Sequence, residues 1–126
     1  MKKILLLVMA ALVALPQVSS AKKNESEGLK VMSYNVRLGV GKDGTNSWQF
    51  RCPATIMMLE EYVPDVFGVQ EAYDFQVKFI TEYASDYKCV GVGREDGKKE
   101  GEHMSIFWNK KTVKLLKWGT YWLSET

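Results

Sequence analysis

Two short β-rich runs separated by one helical pattern set the frame of this chain. Leu29-Lys30-Val31-Met32-Ser33-Tyr34 is β-rich and alternating, which predicts a strand ending at Asn35 or Val36. Beyond Trp48, the residues Ile56, Leu59, Tyr62 and Val63 fall on one stripe, with Glu60 and Glu61 off it, which is helical spacing. Proline is tolerated only in the first turn of a helix, so Pro53 sets the expected start of regular helix near Cys52, and Pro64 stops it. Asp65-Val66-Phe67-Gly68-Val69-Gln70 then reads as a short strand covered on both faces. A single helix between two strands makes them parallel, so residues at their C-terminal ends emerge at one edge of the sheet. Those residues are Asn35 and Glu71. Ligands sit at that edge in α/β sheets. A carboxylate and an amide oxygen there suit a hard cation such as Mg²⁺, which prefers oxygen ligands and keeps waters for a substrate phosphate. The same residue types at strand ends also serve as turn formers and helix caps.

The rest of the chain continues the α/β alternation. Residues 39–47, dense in Gly, Asp, Asn and Ser, mark a loop. Phe75, Phe79 and Ile80 or Tyr83 give residues 73–83 helical spacing, and residues 87–92 read as a strand. A charged, glycine-bounded loop follows over residues 93–101. Strands at 104–108 and 113–118 are expected to form a hairpin around Asn109-Lys110-Lys111-Thr112. The whole is an α/β layered domain with a mixed sheet and flanking helices. Trp108, Trp118, Tyr121 and Trp122 crowd the hairpin, where a core-facing sheet surface is expected and a stacking platform for sugars or bases is the alternative. Nothing in the sequence is predicted to cover the second face of that hairpin, so the chain reads as the N-terminal part of a larger domain.

The first residues read as an address. Met1-Lys2-Lys3 is basic, residues 4–15 are apolar and uncharged, Pro16 breaks the run, and Ser19-Ser20-Ala21 supplies small residues for cleavage. A signal peptide over residues 1–21, a polar leader over 22–28 and export to a periplasmic or extracellular compartment are therefore expected, with no transmembrane segment after cleavage. Lys2 and Lys3 belong to that segment, and without them the 17 basic residues become 15 against 15 acidic ones. A neutral mature chain lacks the basic footprint of a nucleic-acid binder. It is expected to be a monomer. Cys52 and Cys89 are compatible with one disulfide in an exported protein, but two unpaired, buried thiols are the preferred reading.

The strings Val31-Met32-Ser33-Tyr34-Asn35-Val36-Arg37 and Pro64-Asp65-Val66-Phe67-Gly68-Val69-Gln70-Glu71-Ala72 resemble the first two signature blocks of the endonuclease/exonuclease/phosphatase family. The likeness continues through Asn46-x-Trp48-x-x-Arg51, Gly91-Val92-Gly93-Arg94, Gly101-Glu102 and Ile106-Phe107-Trp108-Asn109, and ends on Trp122-Leu123-Ser124-Glu125-Thr126. It spans essentially all of residues 29–126, read as a truncated domain of exported bacterial type. The resemblance implies Mg²⁺-dependent hydrolysis of phosphoester bonds, with Glu71 binding the catalytic metal. Asn35 matches the asparagine that orients the metal-bound network and the phosphate. The substrate, whether small molecule, lipid head group or nucleic acid, is not legible. The family's general base is a late histidine helped by aspartates and an Asp-x-Asn element, and nothing here matches them. His103 is expected at the surface or a strand edge. Arg51 and Glu102 have structural alternatives: Arg51 pairing with a carboxylate across the first helix, Glu102 fixing a strand entry. The chain alone is thus expected to be incomplete and inactive, and a non-catalytic exported binding module using the aromatic hairpin is the competing reading.

Overall fold

A computed structural model describes residues 28–123. The expected signal segment, the leader up to residue 27 and the last three residues lie outside them. Strand β1 (Val31–Asn35) and strand β2 (Val66–Gln70) pair in parallel, from Val31 opposite Val66 to Asn35 opposite Gln70. Helix α1 (Trp48–Tyr62) makes the crossover. It begins a turn earlier than expected, with Pro53 inside it. Proline withholds the N–H that would bond the carbonyl four residues back, here that of Gln49. That carbonyl instead accepts the Cys52 thiol at 3.6 Å. The first turn is held without it, because Phe50 and Arg51 both donate to the Ser47 carbonyl and Trp48 is buried. The helix ends where the residue before a proline is pushed out of the right-handed region: Val63 lies at φ 43° and its N–H bonds Leu59.

Beyond β2 come β3 (Ala72–Tyr73), α2 (Asp74–Tyr83), β4 (Tyr87–Val90), β5 (Glu102–His103) and β6 (Ile106–Asn109). The main sheet runs β1-β2-β6-β4, with β6 antiparallel to both neighbours, which is the mixed sheet expected. The second hairpin strand, expected at 113–118, is not formed. β6 already has β2 on one edge and β4 on the other, so no ladder is open to a further strand. The chain turns instead at Asn109, whose carbonyl accepts the N–H groups of Thr112 and Val113 and whose side chain accepts that of Lys111. It then runs across the outer face of the sheet, above a cleft of about 340 Å³ floored by Val66, Val90, Ile106 and Trp108. Trp118, Tyr121 and Trp122 are exposed there, so they form no core-facing surface.

The core lies between the inner face of the sheet and the two helices. Successive side chains of a strand point to opposite faces, and the buried Phe67 and Val69 of β2 and Phe107 of β6 meet Leu59 of α1 and Ile80 of α2. Phe67 and Phe107 stack with ring centres 4.6 Å apart, and Tyr87 meets Phe67 edge-on. The Tyr87 hydroxyl donates to the Pro64 carbonyl, tying β4 to the end of α1. Cys52 and Cys89 are free, half-buried thiols at the margin of this core. No helix among the described residues is long and apolar enough to cross a membrane.

Candidate metal site at the parallel strand ends

Asn35 closes β1 and Glu71 follows β2, so the parallel pairing brings them together at one sheet edge. The Asn35 amide nitrogen donates to Glu71 Oε1 at 2.7 Å, and the Leu38 N–H donates to Oε2 at 3.2 Å. The Asn35 amide oxygen accepts the Arg37 N–H at 2.8 Å, which fixes which end of the amide faces the carboxylate. Asn35 therefore orients Glu71 directly. These bonds to the ionised form, the one from Asn35 first, hold the Glu71 carboxyl below its ordinary pKa, so it is charged near neutrality. Each carboxylate oxygen has two lone-pair directions. One on each is taken by these donors, and no other donor reaches them among the described residues.

The backbone at this edge is strained. Glu71 and Arg37 lie at φ 60° and 58°. Left-handed backbone costs a non-glycine residue free energy and concentrates at functional sites. At Glu71 the turn separates the main sheet from the β3–β5 ribbon. At Arg37 it bends the chain so that Leu38 faces Glu71.

Two residues that periodicity does not single out complete the wall. Gln76 of α2 is fully buried, donates to the Arg37 carbonyl at 3.0 Å and accepts the Tyr73 N–H at 3.0 Å. Gly39 admits this packing, since a Cβ there would meet Phe75 and Gln76 at 2.4 and 2.7 Å. The signal for Gln76 was a polar residue at a helix N-terminus, three positions after Tyr73, the pattern by which a side chain reaches back to a first-turn N–H. Arg37 grips Asp43 with two hydrogen bonds, Nε at 3.2 Å and Nη2 at 3.0 Å. That contact raises the Arg37 pKa and lowers that of Asp43.

The other residues of interest fall elsewhere. Arg51 forms no ion pair among the described residues, contrary to the expected carboxylate partner; its fork points at backbone carbonyls, and the carboxylate that shares its cleft, Asp43, is gripped by Arg37 instead. Glu102 stands opposite Tyr73 in the β3–β5 ribbon and pairs with Arg94 at 3.2 Å. His103 is only 3 % exposed, not a surface residue: it faces Ala72 in the same ribbon and bridges Gly93 on its other side. Its Nε2 lies 3.2 Å from the Lys99 carbonyl, which withdraws it from solvent chemistry. No group of three or more His, Cys, Asp or Glu side chains suited to a metal occurs among the described residues.

No protein-family model and no curated protein matches the chain. Solved structures do. An endonuclease/exonuclease/phosphatase family protein of Bacteroides thetaiotaomicron superposes with a TM-score of 0.73 at 39% identity over 78% of this chain. A protein of the same family from Bacteroides vulgatus gives 0.74 at 30% over 77%. The chain shares the fold of the endonuclease/exonuclease/phosphatase family and up to 39% identity with its members. A mannosyl-6-phosphatase of Bacteroides thetaiotaomicron is similar to this chain to the same degree, with a TM-score of 0.74 at 39% identity over 79% of the chain. The chain spans 36–38% of the length of these three relatives. It shares with these relatives a mixed sheet with flanking helices, and Asn35 and Glu71 stand at its parallel edge.

Proposed function

We propose that this chain carries one wall of a Mg²⁺-dependent phosphoester hydrolase site, with Glu71 as metal ligand and Asn35 as the group that orients it. The observation that supports this most is a charged carboxylate at the ligand edge of an α/β sheet, held by two donors and reached by no other among the described residues. The donor chemistry fits Mg²⁺, a hard cation that takes carboxylate oxygen and completes its shell with waters. Bound there, Mg²⁺ would act as a Lewis acid on a phosphoryl oxygen and offset charge that develops in the transition state. The chain's own residues perform the positioning. Asn35 and the Leu38 N–H keep the Glu71 carboxylate ionised and aimed, and Gln76 fixes the loop that carries Leu38.

The similarity to a mannosyl-6-phosphatase supports phosphomonoesters of sugars as the first substrates to try. The described residues offer no free imidazole near Glu71, and a general base contributes about 10²–10⁴-fold. Hydrolysis by this chain alone is accordingly slow in this reading, and export follows from its N-terminal segment. The test is calorimetric titration with inorganic phosphate, in Mg²⁺ and in a chelator, on the wild type and Glu71→Ala. Phosphate binding that needs both Mg²⁺ and Glu71 is expected. Equal binding without metal, or in the variant, overturns the proposal.

A further inference from the structure

The segment Asn46-x-Trp48-x-x-Arg51 supplies a cation that forms no ion pair among the described residues, with Asp43, the carboxylate in its cleft, already gripped by Arg37. Arg51 projects from the first turns of α1, and its guanidinium lies 5.7 Å from the centre of the buried Trp48 ring. Its Nε donates to the Asn46 carbonyl at 2.5 Å and its Nη1 to the Val36 carbonyl at 2.8 Å. The third nitrogen, Nη2, is buried and has no hydrogen-bond partner among the described residues. An orphaned guanidinium nitrogen is costly to bury. A side chain kept only to brace a helix would be better replaced by an apolar one.

The carbonyl it holds explains the cost. Val36 is fully buried and stands between Asn35, which contacts Glu71, and Arg37, at which the backbone turns left-handed. Its N–H donates to Gln70 in the neighbouring strand, and its carbonyl receives Arg51. Val36 is thereby pinned from both sides. The chain from Asn35 to Leu38 hangs from that pinned peptide, and Asn35 and Leu38 are the two donors to the Glu71 carboxylate. The other arm of the fork holds Asn46 at the far end of the same loop. A rigid planar fork can grip two carbonyls on separate segments while its charge stays near an indole; a lysine ammonium cannot.

We propose that Arg51 is a positioning residue for the metal site: it clamps both ends of the 36–46 loop and so holds Asn35 and the Leu38 N–H against Glu71. Its importance for metal binding rests on the reading of Glu71 given above, but the clamp itself does not. The two are separated by measuring backbone amide hydrogen exchange and Mg²⁺ affinity on the 126-residue chain and on Arg51→Lys and Arg51→Met. Exchange at the Leu38 and Arg37 amides is expected to accelerate about tenfold or more relative to the amides of β2 and β6, because the loop opens without the sheet. Mg²⁺ affinity is expected to fall about 10–100-fold, as when an outer-shell partner of a ligand is removed. Lysine is expected to restore only a minor part of either effect.

Acceleration at Leu38 only in step with the sheet amides marks a general stability role and overturns the proposal. Selective acceleration with Mg²⁺ affinity unchanged overturns the link to the metal site. A wild type that binds no Mg²⁺, with selective acceleration in the variants, supports the clamp and overturns the reading of Glu71. If Arg51→Met does not fold, Arg51→Lys decides by the same criteria.

Discussion

The Asn35 side chain donates to Glu71 Oε1 at 2.7 Å across two parallel strands, from a position 36 residues earlier in the chain. The amide serves the carboxylate, and the peptide N–H of Arg37 serves the amide. This order of dependence sets what substitutions at the site will do.

Asn35→Asp keeps the shape and replaces a donor by a second carboxylate. Two like charges at this spacing cannot both be ionised without cost, so one proton is retained. The Glu71 carboxyl, now below its ordinary pKa, is expected to titrate above it in the variant, as followed by ¹³C NMR of the side-chain carboxyl. A Glu71 titration unchanged by Asn35→Asp contradicts the hydrogen-bond order described.

Glu71 occupies left-handed backbone at φ 60°. Glycine adopts it freely, whereas other residues are strained there by about 1–2 kcal/mol. Glu71→Gly is therefore expected to melt about 4–8 °C or more above Glu71→Ala, while neither binds Mg²⁺. Equal melting temperatures in differential scanning calorimetry would show that the turn relaxes without Glu71.

Asp65 accepts the Thr112 hydroxyl at 2.5 Å and the Lys30 N–H at 2.8 Å, which holds its pKa below the ordinary value. A group with a depressed folded pKa contributes stability that is complete above its unfolded pKa, about 3.9 for Asp, and lost as pH falls through the folded value. Thr112→Val removes the larger of these supports. The variant is expected to be less stable than the wild type at about pH 7, with the gap closing as pH falls below about 3.9. A gap in thermal unfolding that is constant with pH would assign the loss to packing instead.

Bis-p-nitrophenyl phosphate with Mg²⁺ is expected to show little turnover by this chain, since His103 is buried against Lys99 and no other imidazole exists in the sequence. Robust turnover lost in Glu71→Ala, followed by absorbance of the released nitrophenolate, would mean that a group other than an imidazole activates water.

Much of this was legible in the sequence because it depends on periodicity and on chain connection. The β1–α1–β2 unit and the meeting of Asn35 with Glu71 follow from two strand patterns, one helix pattern and the parallel rule. What was not legible depends on who pairs with whom. The strand expected at 113–118 has the right composition, but β6 has no free edge to offer it. His103 reads as a surface or strand-edge residue because nothing local shows that β3 and Gly93 enclose it. Pro53 misplaced the start of α1 because the burial of Trp48, which stabilises the first turn, is a tertiary contact. The Arg51 clamp and the Gln76 bridge likewise connect segments 15 and 39 residues apart, beyond the reach of local pattern.

A divalent cation is expected to bind at the Glu71 carboxylate held by Asn35 and Leu38. The decisive measurement is titration with Mn²⁺, read by paramagnetic broadening of backbone amide NMR signals. Broadening centred on Asn35, Leu38, Glu71 and Ala72, displaced by excess Mg²⁺ and absent in Glu71→Gln, is the predicted result. Broadening centred on another carboxylate, such as the exposed Asp96, or unchanged in Glu71→Gln, would contradict it.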